Sequence, residues 1–318
     1  MVRPTNALRS YERPAAFMGI TAVAAMWGLS FVSTKVLLRT LSPVQVAFMR
    51  HVLASVATLA VALVTRQPLT VRRSDVPAML GAAVVGIPVY FYFENTSLLY
   101  VSAATASMIT AANPAITASL ESLLHRKRLP LGSWIGILIS AAGVALVVRM
   151  GAVQAAQMAL TTGGALDLHT FTKGAVMLLL SASAWSVYTI VNRPLMERYS
   201  VITANAYQVT AATVVLGLMA ALHRGSVPWR EVFSEPGVIL NLAYLGILCS
   251  AVAYALYLFA LRTLGSTTAS SFINLIPVFG VLGSALILGE AMSAAQLVGG
   301  MVVVGGIFLV DSAQRKAR

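Results

Sequence analysis

Long apolar stretches alternate with short polar connections along the whole chain, and each stretch has about the length of one bilayer crossing. A membrane-spanning helix needs about 20 consecutive apolar residues, and a search at that length predicts ten of them. They cover residues 16–38, 43–65, 76–98, 102–124, 131–149, 173–193, 203–222, 238–260, 267–288 and 294–311. The pattern therefore predicts an all-α membrane protein with ten transmembrane helices and little chain left over for a soluble domain.

The composition and the placement of charge agree with this fold class. Of 318 residues, 58% are hydrophobic and only 10% are charged, whereas a soluble domain has roughly 25% charged residues. The net charge of +12 could suggest a nucleic-acid partner, but with the N-terminus inside, 15 of the 22 Lys and Arg residues fall on the cytoplasmic side and 5 on the other. Cytoplasmic loops carry such an excess. We therefore expect an integral protein of a bacterial inner (plasma) membrane, with both termini cytoplasmic and no nucleic-acid partner.

Basic clusters beside the predicted spans, such as "HRKR" at 125–128, are interpreted in the same way. They fix the topology and contact lipid headgroups. We expect membrane lipids and a small-molecule substrate as the partners of this chain.

The reactive side chains do not suggest catalysis. The single cysteine, Cys249, excludes an intrachain disulfide, and four scattered histidines lack metal-ligand spacing, so we expect no metal and no cofactor. An intramembrane enzyme would need a nucleophile–base or metal constellation, and the sequence has no HExxH, GxSxG or P-loop motif. We expect no enzyme activity; an intramembrane enzyme and a receptor or scaffold remain weaker alternatives.

The chain matches itself when it is shifted along its own length. The pairs at an offset of 158 are Trp27 with Trp185, Lys35 with Arg193, and Arg50 with Gln208. The pairs at an offset of 163 are Pro114 with Pro277, Gly136 with Gly299, and Gly143 with Gly306. We interpret residues 1–149 and 173–318 as two five-helix repeats joined by a linker at 150–172. An odd number of helices inverts the second repeat in the membrane, and inverted repeats are typical of transporters.

Two mirrored prolines fall near the middle of predicted spans. Pro114 follows Asn113, and Pro277 follows Asn274 by one turn. A proline removes a backbone hydrogen bond, which a membrane tolerates only where neighbours or a cavity satisfy the freed carbonyl. We expect helix breaks at both prolines, and the two amides either bind substrate or repair the helix locally.

Aromatic residues gather at the same depth. Trp27 and Trp185 lie midway along their predicted helices, away from the interfacial positions that tryptophan prefers, and Tyr188 is one turn from Trp185. Tyr90 and Tyr254 lie on the predicted third and eighth helices, and Tyr254 aligns with Phe91. We interpret these tryptophans and tyrosines as an aromatic wall for a small ligand; core packing is the competing interpretation.

Small residues recur every three to four positions on the fifth and tenth predicted helices. They are Gly132, Gly136, Ser140 and Gly143 on the fifth, and Ala295, Gly299 and Gly306 on the tenth. Such stripes allow close helix packing. We assign them to packing, within the chain or in a homodimer.

Three of the charges inside predicted spans lie at a similar depth. Glu94, Lys35 and Arg50 all lie in the outer third by helix length, and a paired charge in a membrane costs much less than a lone one. We predict that Glu94 pairs with Arg50 or Lys35. In one hypothesis the pair is structural or closes the outer side. In the other, Glu94 exchanges protons and couples transport.

Several segments together resemble the ten-helix EamA branch of the drug/metabolite transporter superfamily. They are "WGLSFVSTK", "SPVQVAFMRHVLA", "LLYVSAATASMITAANPAITA", "WSVYTIVNR", "TLGSTTASSFINLIPVFGVLGSALILGE" and "LVGGMVVVGGIFLV". The resemblance covers nearly the whole chain and implies two inverted five-helix repeats, a central substrate cavity and secondary transport, most often export. One departure is that Gly-Glu follows only the ninth helix, at Gly289 and Glu290, whereas the first-half position is Lys127.

The residues and the resemblance together favour a secondary-active exporter of amino acids or similar small metabolites that works by alternating access. A multidrug or quaternary-ammonium cation transporter is the alternative. For that substrate we would expect an unpaired carboxylate facing the cavity centre.

Overall fold

The structure, a computed structural model, describes residues 6–125, 129–162, 168–222, 229–264, 269, 272–290 and 292–316. Within these ranges every regular element is helical. The α-helices are α1 (Asn6–Leu37), α2 (Pro43–Val64), α3 (Val76–Val84), α4 (Tyr90–Ser97), α5 (Ala103–Thr110), α6 (Asn113–His125), α7 (Leu131–Thr162), α8 (Leu168–Arg198), α9 (Val201–Leu222), α10 (Trp229–Ser234), α11 (Pro236–Ala243), α12 (Ala253–Leu264), α13 (Ile276–Gly283) and α14 (Ala294–Lys316). The predicted all-α class is correct for the described part of the chain.

Seven stretches within the described residues are long and apolar enough to cross a bilayer. They are Glu12–Leu37, Pro43–Val64, Val76–Ser97, Leu131–Gln154, His169–Arg198, Val201–Leu222 and Pro236–Leu264, and two shorter apolar helices are Ile276–Leu288 and Ala294–Val310. Seven of the ten predicted spans correspond to the long stretches. Their apolar faces turn outward as well as inward, since large side chains such as Leu63 and Phe308 are mostly exposed, as is expected of helices that contact lipid.

The predicted span 102–124 is two helices rather than one. The helix breaks at Ala111 and Ala112, and α6 then starts with Asn113 and Pro114. A proline is tolerated there because the first N–H groups of a helix have no intrahelical partner. The proline therefore starts a helix and does not kink the middle of one.

The predicted span 267–288 is interrupted at the mirrored position. Asn274 and Leu275 form a turn, and Pro277 lies in the first turn of α13. The two predicted helix breaks are thus present, and both consist of an asparagine, a short turn and a proline that opens the following helix.

Three π-helical segments interrupt the α-helices of the described chain: Val85–Val89, Tyr244–Val252 and Ser284–Leu288. The first contains Pro88, whose missing N–H removes one α-helical hydrogen bond. The first two segments directly precede α4 and α12, which carry Tyr90 and Tyr254. π-Helical turns are rare and concentrate at functional sites.

The two ends of the bundle are distinguished by their contacts. At the Lys35 end, Lys35 lies against the loop after α4, and Asn95 donates a hydrogen bond to the carbonyl of Pro43 at the start of α2 (2.9 Å). At the opposite, Arg198 end, Arg198 at the end of α8 pairs with Asp75 at the start of α3 (2.7 Å). Helix α2 therefore runs from the Lys35 end, whereas α9 runs from the Arg198 end.

Helices α7 and α14 pack with their backbones almost in contact. A Cβ atom placed on Gly136 would lie 2.5 Å from the carbonyl oxygen of Gly306, and one on Gly143 would lie 2.8 Å from that of Gly299. Only glycine permits this approach. The small-residue stripes of the two helices therefore face each other within one chain.

The predicted linker at 150–172 is largely helical. Helix α7 continues to Thr162 and α8 begins at Leu168, because the alanine, glutamine and methionine residues beyond the apolar span are good helix formers. Residues 163–167 of the linker lie outside the described residues.

Candidate functional site

A small cavity lies where the two helix breaks meet the inward faces of α1, α2, α4 and α8 and the start of α12. Its lining residues are Trp27, Ser30, Phe31, Arg50, Tyr90, Phe91, Glu94, Thr110, Asn113, Trp185, Tyr254, Ile273 and Ile276. Its volume is about 30 Å³, which holds on the order of one or two water molecules. The cavity is mostly aromatic and apolar, with a few convergent polar groups, as is typical of small-molecule sites.

Two tryptophans form the centre of the aromatic wall. The rings of Trp27 and Trp185 meet edge to face with centroids 5.2 Å apart, and Tyr254 lies 5.6 and 5.7 Å from them. Trp27 Nε1 donates a hydrogen bond to the carbonyl of Cys249 at 3.0 Å. Because that carbonyl belongs to a π-helical segment of the second half, the bond fixes a first-half tryptophan against the second half.

Glu94 faces the cavity, and its hydrogen-bond partner there is a neutral phenol. It is 6% exposed and accepts a hydrogen bond from the Tyr90 hydroxyl at 2.7 Å. Among the described residues no ion pair joins Glu94 to Arg50 or Lys35. The predicted pairing is therefore not what the structure shows, since each of the two cations has other partners.

Arg50 faces the same cavity and is held by neutral groups. Its side chain is 2% exposed, and Nε donates a hydrogen bond to Ser250 Oγ at 2.9 Å. The guanidinium carbon lies 4.2 Å from the centre of the Phe91 ring, in a cation–π contact. The serine and the ring orient the guanidinium without neutralising it.

Lys35 lies outside the cavity lining. Its ammonium group donates hydrogen bonds to the carbonyls of Leu98 (2.9 Å) and Val101 (2.6 Å), at the C-terminal end of α4, where a cation is favoured by the helix dipole. Lys35 was predicted to lie level with Glu94, but its long side chain extends toward the end of the bundle.

A carboxylate from the second half closes the same end. Glu290 accepts hydrogen bonds from the backbone N–H groups of Ala103 and Ala104 (3.4 Å each) and from Ser284 Oγ. A carboxylate is stabilised at a helix N-terminus such as that of α5. The Lys35 end is therefore held together by contacts between the two halves.

The Arg198 end carries a second set of contacts. Besides Arg198, the Asp75 carboxylate accepts a hydrogen bond from the Tyr199 hydroxyl at 2.7 Å, and partial burial together with this bond raises the pKa of Tyr199. Arg193 lies 3.6 Å from Glu121 in a partly exposed ion pair. The predicted lipid-contacting residues 126–128, which include Lys127, lie outside the described residues.

Most of the predicted substrate-contacting residues meet at the cavity. Trp27, Tyr90, Asn113, Trp185 and Tyr254 line it. Tyr188 and Asn274 do not. Tyr188 packs on Trp185 from behind, with centroids 5.1 Å apart, and Asn274 lies in the turn before α13, beside the lining residues Ile273 and Ile276.

Several lining residues were missed, and some could have been found. Ser30 lies one turn after Trp27, Phe91 aligns with Tyr254, and Thr110 precedes the first break. Ser250, which orients Arg50, carried no sequence signal because it approaches from a distant π-helical segment.

Two polar atoms of the described lining residues, Asn113 Oδ1 and the Tyr254 hydroxyl, are free. Among the described residues Asn113 Oδ1 has no hydrogen-bond partner, and the same holds for the hydroxyl of Tyr254 and for Asn274 Oδ1 beside the second break. Unpartnered buried polar groups are rare in native proteins. The cavity thus presents a guanidinium, a carboxylate, an amide oxygen and a phenol to any molecule that enters it.

Comparison with known proteins identifies the family. The sequence profile described as "EamA-like transporter family" matches twice, over residues 14–149 and 172–311. An "Uncharacterized transporter" of Archaeoglobus fulgidus is 26% identical over 295 residues, which cover 92% of this chain and 95% of that protein. A "Probable terminal-alkyne amino-acid exporter" of Streptantibioticus cattleyicolor is 25% identical, with 93% of each chain covered. A solved crystal structure shares the fold, with a TM-score of 0.65 at 20% identity over 96% of this chain and 99% of the other.

Proposed function

We propose that this chain, which belongs to the EamA-like transporter family, is a secondary-active exporter of amino acids or similar small zwitterionic metabolites. As a member of that family with seven long apolar helices, the protein is an integral membrane transporter. The observation that carries the finer proposal is the cavity itself. It presents one buried guanidinium and one buried carboxylate, Arg50 and Glu94, which share no ion pair within the described chain.

The two charges complement the two ends of a zwitterion. A guanidinium binds a carboxylate through charge-assisted hydrogen bonds, and Nε of Arg50 is already held by Ser250, so its terminal nitrogens are left for substrate. Glu94 accepts one hydrogen bond from Tyr90 and can accept more from an ammonium group. Aromatic faces next to a carboxylate also attract an ammonium ion.

The apolar part of the substrate would contact the aromatic wall of Trp27, Trp185 and Tyr254. The unpartnered Asn113 Oδ1 at the first helix break would add an acceptor for an N–H group. The relative from Streptantibioticus cattleyicolor that is named a probable terminal-alkyne amino-acid exporter supports the same substrate class for this chain.

We also infer the topology. Residues 1–149 and 173–318 form two inverted five-helix repeats in a bacterial inner membrane, with both termini cytoplasmic. The mirrored helix breaks at Pro114 and Pro277 and the face-to-face packing of α7 and α14 support it. The excess of basic residues then puts the Lys35 end outside and the Arg198 end inside.

Both ends of the bundle are closed around the small cavity. Lys35 and Glu290 hold the Lys35 end, and Asp75 with Arg198 holds the Arg198 end. Alternating access follows if the two sets of contacts open in turn. In this scheme Lys35 closes the outer side, whereas Arg50 and Glu94 bind substrate, and proton exchange at Glu94 could couple transport.

A quaternary-ammonium or multidrug transporter is the second candidate, and one observation favours it. Glu94 faces the cavity without an ion pair in the described chain and beside aromatic rings, as a cation site requires. Arg50 in the same cavity weighs against it, since a monocation would be repelled by the guanidinium. We therefore rank the zwitterion first.

Reconstituted protein tests the proposal. Proteoliposomes are loaded with labelled amino acids, their decarboxylated amines or quaternary ammonium ions, and efflux and counterflow are measured. We expect counterflow for amino acids and little for the amines, with Arg50→Gln as the control for leak. Flux of quaternary ammonium ions alone would favour the second candidate, and no flux across a broad panel would overturn both.

A further inference from the structure

A second group of buried polar side chains lies between the cavity and the Arg198 end. We call it the Gln208 cluster: Asn192 of α8, Asn205 and Gln208 of α9, and Tyr257 of α12. All four residues are at most 2% exposed. Gln208 Nε2 donates a hydrogen bond to Asn192 Oδ1 at 2.7 Å, and the Tyr257 hydroxyl lies near Thr189, one turn before Asn192. Asn205 is one turn before Gln208 and shares its helix face.

Two acceptors of the Gln208 cluster, Gln208 Oε1 and Asn205 Oδ1, lack a hydrogen-bond partner within the described chain. The hydroxyl of Tyr257 makes no hydrogen bond of full geometry there, although Thr189 and Trp185 lie close enough to interact with it. The amide nitrogens are occupied, since Asn205 Nδ2 donates to the carbonyl of Ala251 at 3.3 Å. A buried polar group without a partner is strongly disfavoured. The cluster therefore has two acceptors that are left for another molecule.

The sequence repeat relates this cluster to the charged groups of the cavity. At an offset of 158 Gln208 aligns with Arg50, and at an offset of 163 Tyr257 aligns with Glu94. Arg50 is seven residues into α2 from the Lys35 end, and Gln208 is seven residues into α9 from the Arg198 end. At 1.5 Å per residue both lie about 10 Å inside their own end.

The tryptophan pair separates the two sets. Tyr257 packs against Trp27 and Trp185 with centroids 5.4 and 5.5 Å away, yet it does not line the cavity, whereas Tyr254 one turn earlier does. Helix α12 runs away from the Lys35 end, because Val238 of the preceding α11 packs with Leu41 there. The Gln208 cluster therefore lies just beyond the aromatic wall, on the side toward the Arg198 end.

We propose that the Gln208 cluster is a second binding site, without charged side chains, for the same zwitterionic substrate. The substrate occupies this site when the Arg198 end is open. The amide oxygens of Gln208 and Asn205 accept hydrogen bonds from the substrate ammonium group, and the Tyr257 hydroxyl donates to its carboxylate. Neutral groups hold a zwitterion more weakly than Arg50 and Glu94 do. The inference rests on the proposed function, because it requires a zwitterion to cross the protein.

Transport measured separately from the Lys35 end and from the Arg198 end tests whether the Gln208 cluster binds substrate. Gln208→Leu and, separately, Asn205→Leu remove an acceptor while keeping an apolar side chain of similar size. Half-saturation concentrations for an amino acid are measured in whole cells and in inside-out membrane vesicles. Asn95→Leu is the matched control, because Asn95 is also a buried amide with an unpartnered oxygen but lies at the Lys35 end.

We expect each cluster variant to raise the half-saturation concentration about tenfold from the Arg198 end and to leave the value from the Lys35 end unchanged. Asn95→Leu should not produce that one-sided change. Equal effects from both sides would indicate a structural role and overturn the inference, as would the absence of any effect from the Arg198 end. If the wild-type protein carries no zwitterion at all, the proposed function fails instead.

Discussion

The two halves of this transporter share their helix geometry and differ in their chemistry. Each half has a broken helix with an asparagine and a proline at the break, and each contributes one tryptophan to the aromatic wall. Among the described lining residues, however, the charged ones, Arg50 and Glu94, both come from the first half. At the aligned positions the second half has Gln208 and Tyr257.

The two halves thus keep the same backbone geometry but vary the charge of the side chains that it carries. Helix breaks and glycine contacts set the backbone geometry through which the halves pack, so both halves retain them. A guanidinium and a carboxylate are costly in a membrane interior. One copy of each would suffice for the proposed zwitterionic substrate, and the neutral counterpart avoids a second desolvation cost.

The largest effect is expected when Arg50 of the first half is replaced by glutamine, the residue type at the aligned position 208 of the second half. Arg50→Gln removes the only guanidinium among the described lining residues, and charge-assisted hydrogen bonds contribute about 1.5–3 kcal/mol. We expect transport efficiency for amino acids to fall by about 10- to 100-fold, measured as initial counterflow rates in proteoliposomes. Gln208→Arg should not restore transport in this background, because its guanidinium would lie on the other side of the tryptophan pair. Recovery in the double variant would contradict the assignment.

Glu94→Gln tests the second charge that the first half contributes to the cavity. The amide oxygen can still accept the hydrogen bond from Tyr90, so folding should be preserved, but the charge that attracts an ammonium group is lost. We expect about a tenfold loss of amino-acid transport and loss of any pH dependence that arises from Glu94. Unchanged rates together with an unchanged pH profile would exclude both a binding and a coupling role for this carboxylate.

The shared glycine geometry can be broken from either half. Gly306→Ala would bring a Cβ atom 2.5 Å from the backbone nitrogen of Ser140, whereas a Cβ on the adjacent Gly305 meets nothing within 4 Å. We expect Gly306→Ala to destabilise the fold by about 1–3 kcal/mol, seen as a lower Tm in detergent. Gly136→Ala should act similarly from the other helix. Gly305→Ala is the matched control, and an equal fall in Tm there would argue against close helix approach as the cause.

The smallest effects are expected at the closing contacts of the Arg198 end. Arg198→Ala removes the ion-pair partner of the buried Asp75 carboxylate, although Arg198 itself is half exposed, so we expect a loss of about 1 kcal/mol. Arg193→Ala disrupts a longer and more exposed pair with Glu121 and should cost only a few tenths of a kcal/mol. Thermal unfolding compares the two variants, and the reverse order would mean that Glu121 matters more to closure than Asp75 does.

The length of the apolar stretches was sufficient to predict seven of the ten spans, and the internal repeat pointed to the two positions where the described helices are interrupted. Both are local or one-dimensional signals: hydrophobic length sets a span, and proline starts a helix wherever its missing N–H costs nothing. Trp27, Tyr90 and Trp185 could be found because large aromatic side chains in mid-helix have few other roles.

The partners of the charges could not be predicted in this way. Helix length gave the depth of Lys35, but not that its side chain extends to the carbonyls of Leu98 and Val101. Ser250 reaches Arg50 from 200 positions along the chain, in a π-helical segment that no periodicity indicates. Depth in a membrane is encoded locally, whereas side-chain direction depends on how distant helices pack.

The π-helical segments have one further consequence, which concerns rotation. A π-helical turn accommodates one extra residue, and one residue of an α-helix corresponds to a rotation of about 100°. Deleting Pro88 from Val85–Val89 would remove both the extra residue and the missing N–H, so that a continuous α-helix could form and everything beyond it would turn by that angle. Tyr90 and Glu94 would then point toward lipid or a neighbouring helix, so two side chains that line the cavity owe their direction to a segment that does not line it.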